Sequence, residues 1–196
     1  ELPIFRVQNV WDIFSKNGEA IEADFDRKYR YPAMMKFMFH FIARGDDAAH
    51  VFKSSLVPSM QYPWALTCKL RWSKNVRESR ECPHQILLGS MNPDYCVMLS
   101  LSVFLEAWIS RGQGRTSQWL FSDGVTSASS ADDEIDRETH HWKSRLYSCI
   151  SSIVKSDEFV VDPAASSNRT LANHSTKKYA TTHARRRGVL KDFINI

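Results

Sequence analysis

Residues 173–188 read NHSTKKYATTHARRRG, and the rest of the chain is organised around them. Within about four helical turns this stretch holds adjacent Lys177 and Lys178 and a run of Arg185, Arg186 and Arg187. Thr170 and Asn173 both suit a helix cap, because their side-chain oxygens can accept from the unpaired amides of a first turn. On the helix that follows, His174 and Lys177 stand three apart and share a face. Lys178 and Arg185 fall on a neighbouring face, with Arg186 and Arg187 beside them. Cationic donors grouped with a histidine suit a phosphate, since the donors neutralise its oxygens and an imidazole moves protons. The same residues also fit a solvated basic helix whose His174 makes an ordinary hydrogen bond.

Upstream, residues 32–44 (PAMMKFMFHFIAR) are apolar almost all the way round, which predicts a buried central helix with Pro32 in its first turn. Arg44 stands at the C-terminal end of that stretch, followed by Gly45 and the pair Asp46-Asp47. An arginine there either neutralises the helix dipole or is held from behind as a grip for an anion. The two aspartates suit the start of a following helix over 48–54. The acidic, aromatic stretch 19–31 reads as an irregular connection or a short helix.

Residues 64–74 (WALTCKLRWSK) alternate: Trp64, Leu66, Cys68, Leu70 and Trp72 point one way and Thr67, Lys69, Arg71 and Ser73 the other. That is a half-exposed strand, paired through the polar turn 75–83 with a second strand at 85–88. The hairpin carries Lys69, Arg71, Lys74, Arg77 and Arg80 on its solvent side or tip. A basic edge of this kind guards against strand aggregation, or reaches into a nucleic-acid groove. Asn92 and Pro93 predict the cap and first turn of a helix through Ile109, closed by Gly112. Trp119–Phe121 reads as a brief strand, 125–138 as an exposed loop, and 4–16 and 142–154 as amphipathic helices.

With 196 residues, 43% hydrophobic content and six tryptophans, the chain can build one substantial core. Its net charge is only +4, but the placement is uneven. From Arg169 onward, Arg169, Lys177, Lys178, Arg185, Arg186, Arg187 and Lys191 face a single acid, Asp192. Such asymmetry suits a polyanion, with nucleic acid the first candidate. Cys68, Cys82, Cys96 and Cys149 form no CxxC pair and read as reduced, intracellular thiols. His140 and His141 lack a second ligand pair at metal spacing, so no metal is expected. No apolar run reaches the length of a membrane span, and no secretory signal stands at the start. The chain opens at Glu1 and stops after Ile196, and both ends read as cut.

The pieces fall in a fixed order, carried by ARGDD (43–47), LRWSKN (70–75), MNPDYC (91–96) and HSTKKYATTHARRRG (174–188). That order resembles the catalytic domain of tyrosine recombinases, the phage-integrase-like DNA strand exchangers, and within them the branch carried by Crypton-type mobile elements. The resemblance implies an α+β fold, mainly helical with a small antiparallel β-sheet, in one domain over 1–196. It implies double-stranded DNA as partner, with self-assembly on it, a nuclear location, and no metal or other cofactor. Arg44 matches a clamp on the scissile phosphate, and Lys74 the hairpin lysine that donates a proton to the leaving 5′-oxygen. His174 matches the histidine of the HxxR box. Lys69, Arg71, Arg77, Lys178, Arg185, Arg186 and Arg187 would contact DNA.

Two departures stand out. Lys177 occupies the arginine position of the HxxR box, and an ammonium cannot grip two phosphate oxygens as a guanidinium does. No tyrosine follows Tyr179, which lies on the wrong side of the motif to be the nucleophile. Covalent strand exchange needs that hydroxyl, so the chain as given is expected to bind DNA without cleaving it. The alternatives are a domesticated, non-catalytic DNA-binding module and a basic helical domain that docks an acidic protein.

Overall fold

Phe25 leads into a π-turn, Asp26–Arg30, that runs without a break into helix α1, Tyr31–His40. The computed structural model describes residues 25–70, 84–111, 118–121, 144, 147–148 and 173–190, the side chains of 27 and 173–175 aside. Pro32 explains the widened turn. Its ring offers no N–H and crowds the carbonyl four residues back, and the chain relaxes by letting the Tyr31 N–H reach the Asp26 carbonyl instead. Arg30, only 3% exposed, has its charge balanced by Asp26 at 2.9 Å and lies over the Phe25 ring.

The apolar circumference of α1 does what its sequence implies. Ala33, Met34, Met35, Phe37 and Met38 are buried, and α1 packs on both α3 (Val97–Ser110) and α4 (Asn173–Arg186). The Phe37 ring meets Phe121 edge-on at 5.5 Å, Phe121 stacks on Phe104 at 5.7 Å, and Phe104 stacks on Trp108 at 5.3 Å. All four side chains are fully buried, and each stabilises the fold by roughly 1.5–3 kcal/mol of removed apolar surface.

The central helix stops earlier than the sequence predicts. It ends at His40, and the Ile42 N–H bonds to the Phe39 carbonyl (3.3 Å) while Ala43 N–H bonds to the Met38 carbonyl (2.9 Å). This is a Schellman closure, with Ile42 in the left-handed position at φ 52°. The turn releases Arg44 from the helix. In extended conformation (φ −83°, ψ 163°), Arg44 becomes the N-cap residue of the short helix α2, Gly45–Ala49. A single-turn helix Lys53–Ser55 follows, in place of the continuous helix expected to 54.

Among the described residues three strands, not two, form the sheet: β1 (Leu56–Pro58), β2 (Leu66–Lys69) and β3 (His84–Leu87), antiparallel in that order. The alternation within β2 holds. Cys68 is fully buried, Leu66 and Leu70 pack on the core, and burial pushes the Cys68 thiol up to about 12. Trp64 departs from it and is 73% exposed, because the strand begins only at Leu66 and Trp64 sits in the preceding turn. His40 ties α1 to the sheet, its Nε2 donating to the Ile86 carbonyl at 3.2 Å.

Asn92 caps as expected, its Oδ1 accepting from the Asp94 N–H at 2.9 Å, but what it caps is a single 3₁₀ turn, Pro93–Tyr95. Helix α3 then starts separately, with the Cys96 thiol accepting from the Leu99 N–H. Trp119 makes an isolated bridge to Phe52 and stacks on its ring at 4.2 Å, the remnant of the brief strand expected there. The helix at 4–16, the loop at 125–138 and most of the stripe at 142–154 lie outside the described residues.

Candidate nucleic-acid interface

Arg44 and Asp47 are locked together by the start of α2. The Arg44 backbone N–H donates to Asp47 Oδ2 at 2.8 Å, which satisfies one orphan amide of the helix start. Asp47 is 6% exposed, and its second oxygen, Oδ1, has no hydrogen-bond partner among the described residues. Arg44 is half-buried, and the left-handed turn at Ile42 takes its backbone out of the α1 helix.

Helix α4 approaches from the other side. Phe39 of α1 stacks on Tyr179 at 5.9 Å and lies 6.4 Å from the His183 ring, while Thr176, Tyr179 and Ala180 are buried. That seating leaves Lys177 half-buried at the rim. Burial pushes the Lys177 ammonium below the usual lysine range, the Asp47 carboxylate pulls it back up, and the Arg44 guanidinium pushes it down again. Lys177 therefore lies within electrostatic reach of both Asp47 and Arg44. A phosphate placed between Arg44 and Lys177 would relieve that repulsion and accept donors from both.

The remaining basic residues of α4 face water. Lys178, Arg185, Arg186 and Arg187 are exposed, and the helix closes just after them at Gly188. Lys69 is half-buried in β2, alternating with core-facing Cys68 and so directed to the open side of the sheet. His174 lies in the first turn of α4, with its side chain outside the described residues. Arg71, Lys74 and Arg77 are also outside them. Of the predicted site residues, Arg44 and Lys177 are the two that lie within electrostatic reach of each other. The structure also adds Asp47, which sequence reading took only as the opening of a helix. The signal was present: an acid three residues after Arg44 is the spacing at which a side chain reaches back to the N-cap amide.

Tyr179 packs into the core at 8% exposure. Burial raises the pKa of its hydroxyl, nearby Tyr95 adds to the rise, and Arg186 opposes it. That is the reverse of an activated nucleophile. Among the described residues no group of three or more His, Cys, Asp or Glu side chains could hold a metal ion, and no helix is long and apolar enough to cross a membrane.

No family model and no curated protein matches the chain. Its architecture, helix-rich with a three-stranded antiparallel sheet, is a tyrosine-recombinase-like α+β fold. One solved structure that the chain resembles is the XerH site-specific recombinase, solved bound to a palindromic difH substrate in a post-cleavage complex. The two superpose with a TM-score of 0.55 at 12% sequence identity, over 96% of this chain and 44% of that one. The chain therefore spans less than half the length of this recombinase.

Proposed function

We propose that the chain binds duplex DNA in the nucleus as the DNA-engaging domain of a tyrosine site-specific recombinase, of the branch carried by Crypton-type mobile elements. The observation that carries this reading is the electrostatic meeting of Arg44 and Lys177 around Asp47 in a recombinase-like fold. In this reading Arg44 takes two oxygens of one phosphate, and Lys177 adds a point charge beside it. Lys178, Arg185, Arg186 and Arg187 follow the backbone outside the clamp, and Lys69, Arg71 and Arg77 of the hairpin lie along the groove. Such contacts position the protein and make its affinity depend steeply on salt. Lys74 and His174 carry the proton transfers of strand cleavage, and copies assemble on the duplex.

A second reading, a DNA-binding module that no longer cuts, is favoured by Lys177 standing where a guanidinium would grip better. Both readings share one test. Binding to a random-sequence duplex across a salt series should weaken in an Arg44→Ala, Lys177→Ala double variant, with the salt slope shallower by about two. Unchanged affinity and slope would remove the clamp from the interface. Adding a partner chain that supplies a tyrosine in trans separates the readings: strand cleavage regained in the mixed complex favours the recombinase, and a tight complex without cleavage favours the module.

A further inference from the structure

One polar atom of the site has no partner. Asp47 is 6% exposed, and its Oδ2 accepts the Arg44 backbone N–H at 2.8 Å. Its Oδ1 is buried and meets no hydrogen-bond donor. A carboxylate oxygen withdrawn from water and left unpaired carries the full loss of its hydration, so a native fold seldom keeps one without a use. Arg44 is the cation nearest in the chain, with its amide already on this carboxylate, yet its guanidinium makes no bond to Oδ1.

Lys177 of α4 is the other cation in reach. Among the described residues no hydrogen bond or ion pair engages its ammonium. Three influences act on that charge: the surrounding protein strips part of its hydration, Asp47 attracts it and Arg44 repels it. The helix beneath it is fixed, since Thr176, Tyr179 and Ala180 are buried and Tyr179 stacks on Phe39 of α1. What can move is the long stem of the lysine. An arginine in its place would bring a planar, preorganised fork, whereas lysine brings a compact charge that turns on a flexible chain.

We propose that Lys177 has two positions: in the free chain its ammonium donates to Oδ1 of Asp47, and when duplex DNA arrives it leaves that oxygen for a backbone phosphate beside Arg44. The second position rests on the DNA reading above, and the first does not. The exchange makes Asp47 a competitor of the phosphate. Its carboxylate is satisfied while no phosphate is bound, and an arriving phosphate has to hold the ammonium more strongly than the carboxylate it displaces. A duplex meets that condition through its further contacts with the basic residues of α4, which a lone anion lacks.

Asp47→Asn in the full chain tests both positions, because the amide oxygen still accepts from the Arg44 N–H but carries no charge. In the free chain the Lys177 ammonium, followed by NMR at its ε-carbon, should titrate lower in the variant than in wild type, by about one pH unit. An unchanged or raised titration overturns the proposal. Binding to a random-sequence duplex at low salt should be about fivefold tighter in Asp47→Asn, and that gain should shrink below about twofold in a Lys177→Ala background. A gain of equal size in both backgrounds would report only the loss of one negative charge near DNA, and it overturns the exchange. Unchanged or weaker binding by a variant that keeps its melting temperature overturns it too. If Asp47→Asn melts early, Asp47→Ser, whose hydroxyl also accepts, takes its place with the same expectations. Should the wild type fail to bind the duplex, the DNA reading has failed, and the titration of the free chain decides the Asp47 contact by itself.

Discussion

Helix α1 closes at Ile42 and helix α4 at Gly188, and the two ends share one hydrogen-bond pattern. At α4 the Gly188 N–H bonds to the Arg185 carbonyl (3.0 Å) and the Val189 N–H to the Ala184 carbonyl (3.1 Å), with Gly188 at φ 85°. At α1 the same pair of bonds is made by Ile42 and Ala43. Glycine takes the left-handed conformation freely, whereas a β-branched residue held there costs on the order of 1–3 kcal/mol. The α4 turn is thus set by its own residue, out in solvent. The α1 turn is set by its surroundings: Phe41 and Ala43 are buried on either side, and Asp47 holds the Arg44 amide. The difference shows where position matters. One end merely closes a basic helix, while the other fixes the Arg44 backbone on Asp47, within electrostatic reach of Lys177.

The comparison breaks most visibly if the core stops holding the α1 end. Phe37→Ala removes a fully buried ring in contact with Phe41 and Phe121. It should cost about 3–5 kcal/mol in urea denaturation, whereas Arg187→Ala at the exposed end should stay within about 0.5 kcal/mol of wild type. A Phe37→Ala loss below about 1 kcal/mol would mean that packing does not impose the turn. A finer probe exchanges the residues at the turns themselves. Ile42→Gly relieves the strain against a smaller entropic cost of about 0.5–1 kcal/mol and should stabilise by about 1 kcal/mol. Gly188→Ala has open space for its new Cβ, so only the backbone penalty remains, and it should destabilise by about 1 kcal/mol. Shifts of the same sign at the two positions would end the comparison.

Much of this arrangement was legible in the chain. The apolar run 33–38, the alternation through Leu66, Cys68 and Leu70, and the basic helix from Asn173 all follow from periodicity, and each has a matching element. The left-handed turn was hidden, because nothing in FIAR signals a helix stop without a glycine, and tertiary contacts alone impose it. β1 was hidden for a different reason: three residues are too few to show an alternation. The site was readable in part. Arg44 and Lys177 announce themselves by type and spacing, but their meeting depends on Phe39 seating α4 against α1, a long-range contact no local pattern reports. Asp47 was visible as an acid and invisible as a neighbour of Lys177.

The smallest effect concerns pH, and it acts on the α1 end through His40, two residues before the strained Ile42. Although His40 as a residue is exposed, the protein packed around its ring desolvates it and pushes its pKa below the usual 6.5, and the bond to the Ile86 carbonyl opposes that shift only in part. The folded chain therefore holds its proton less tightly than the unfolded chain. Between the lowered folded pKa and 6.5 the unfolded state binds more protons, so stability rises with pH across that window; below it the destabilisation is fully present, and above it the contribution is gone. His40→Gln keeps an N–H donor for Ile86 but cannot titrate. Unfolding free energies measured between about pH 5 and about pH 8 should climb less steeply in this variant than in wild type. Equal slopes would assign the acid sensitivity to other groups and leave the link between α1 and β3 indifferent to protonation.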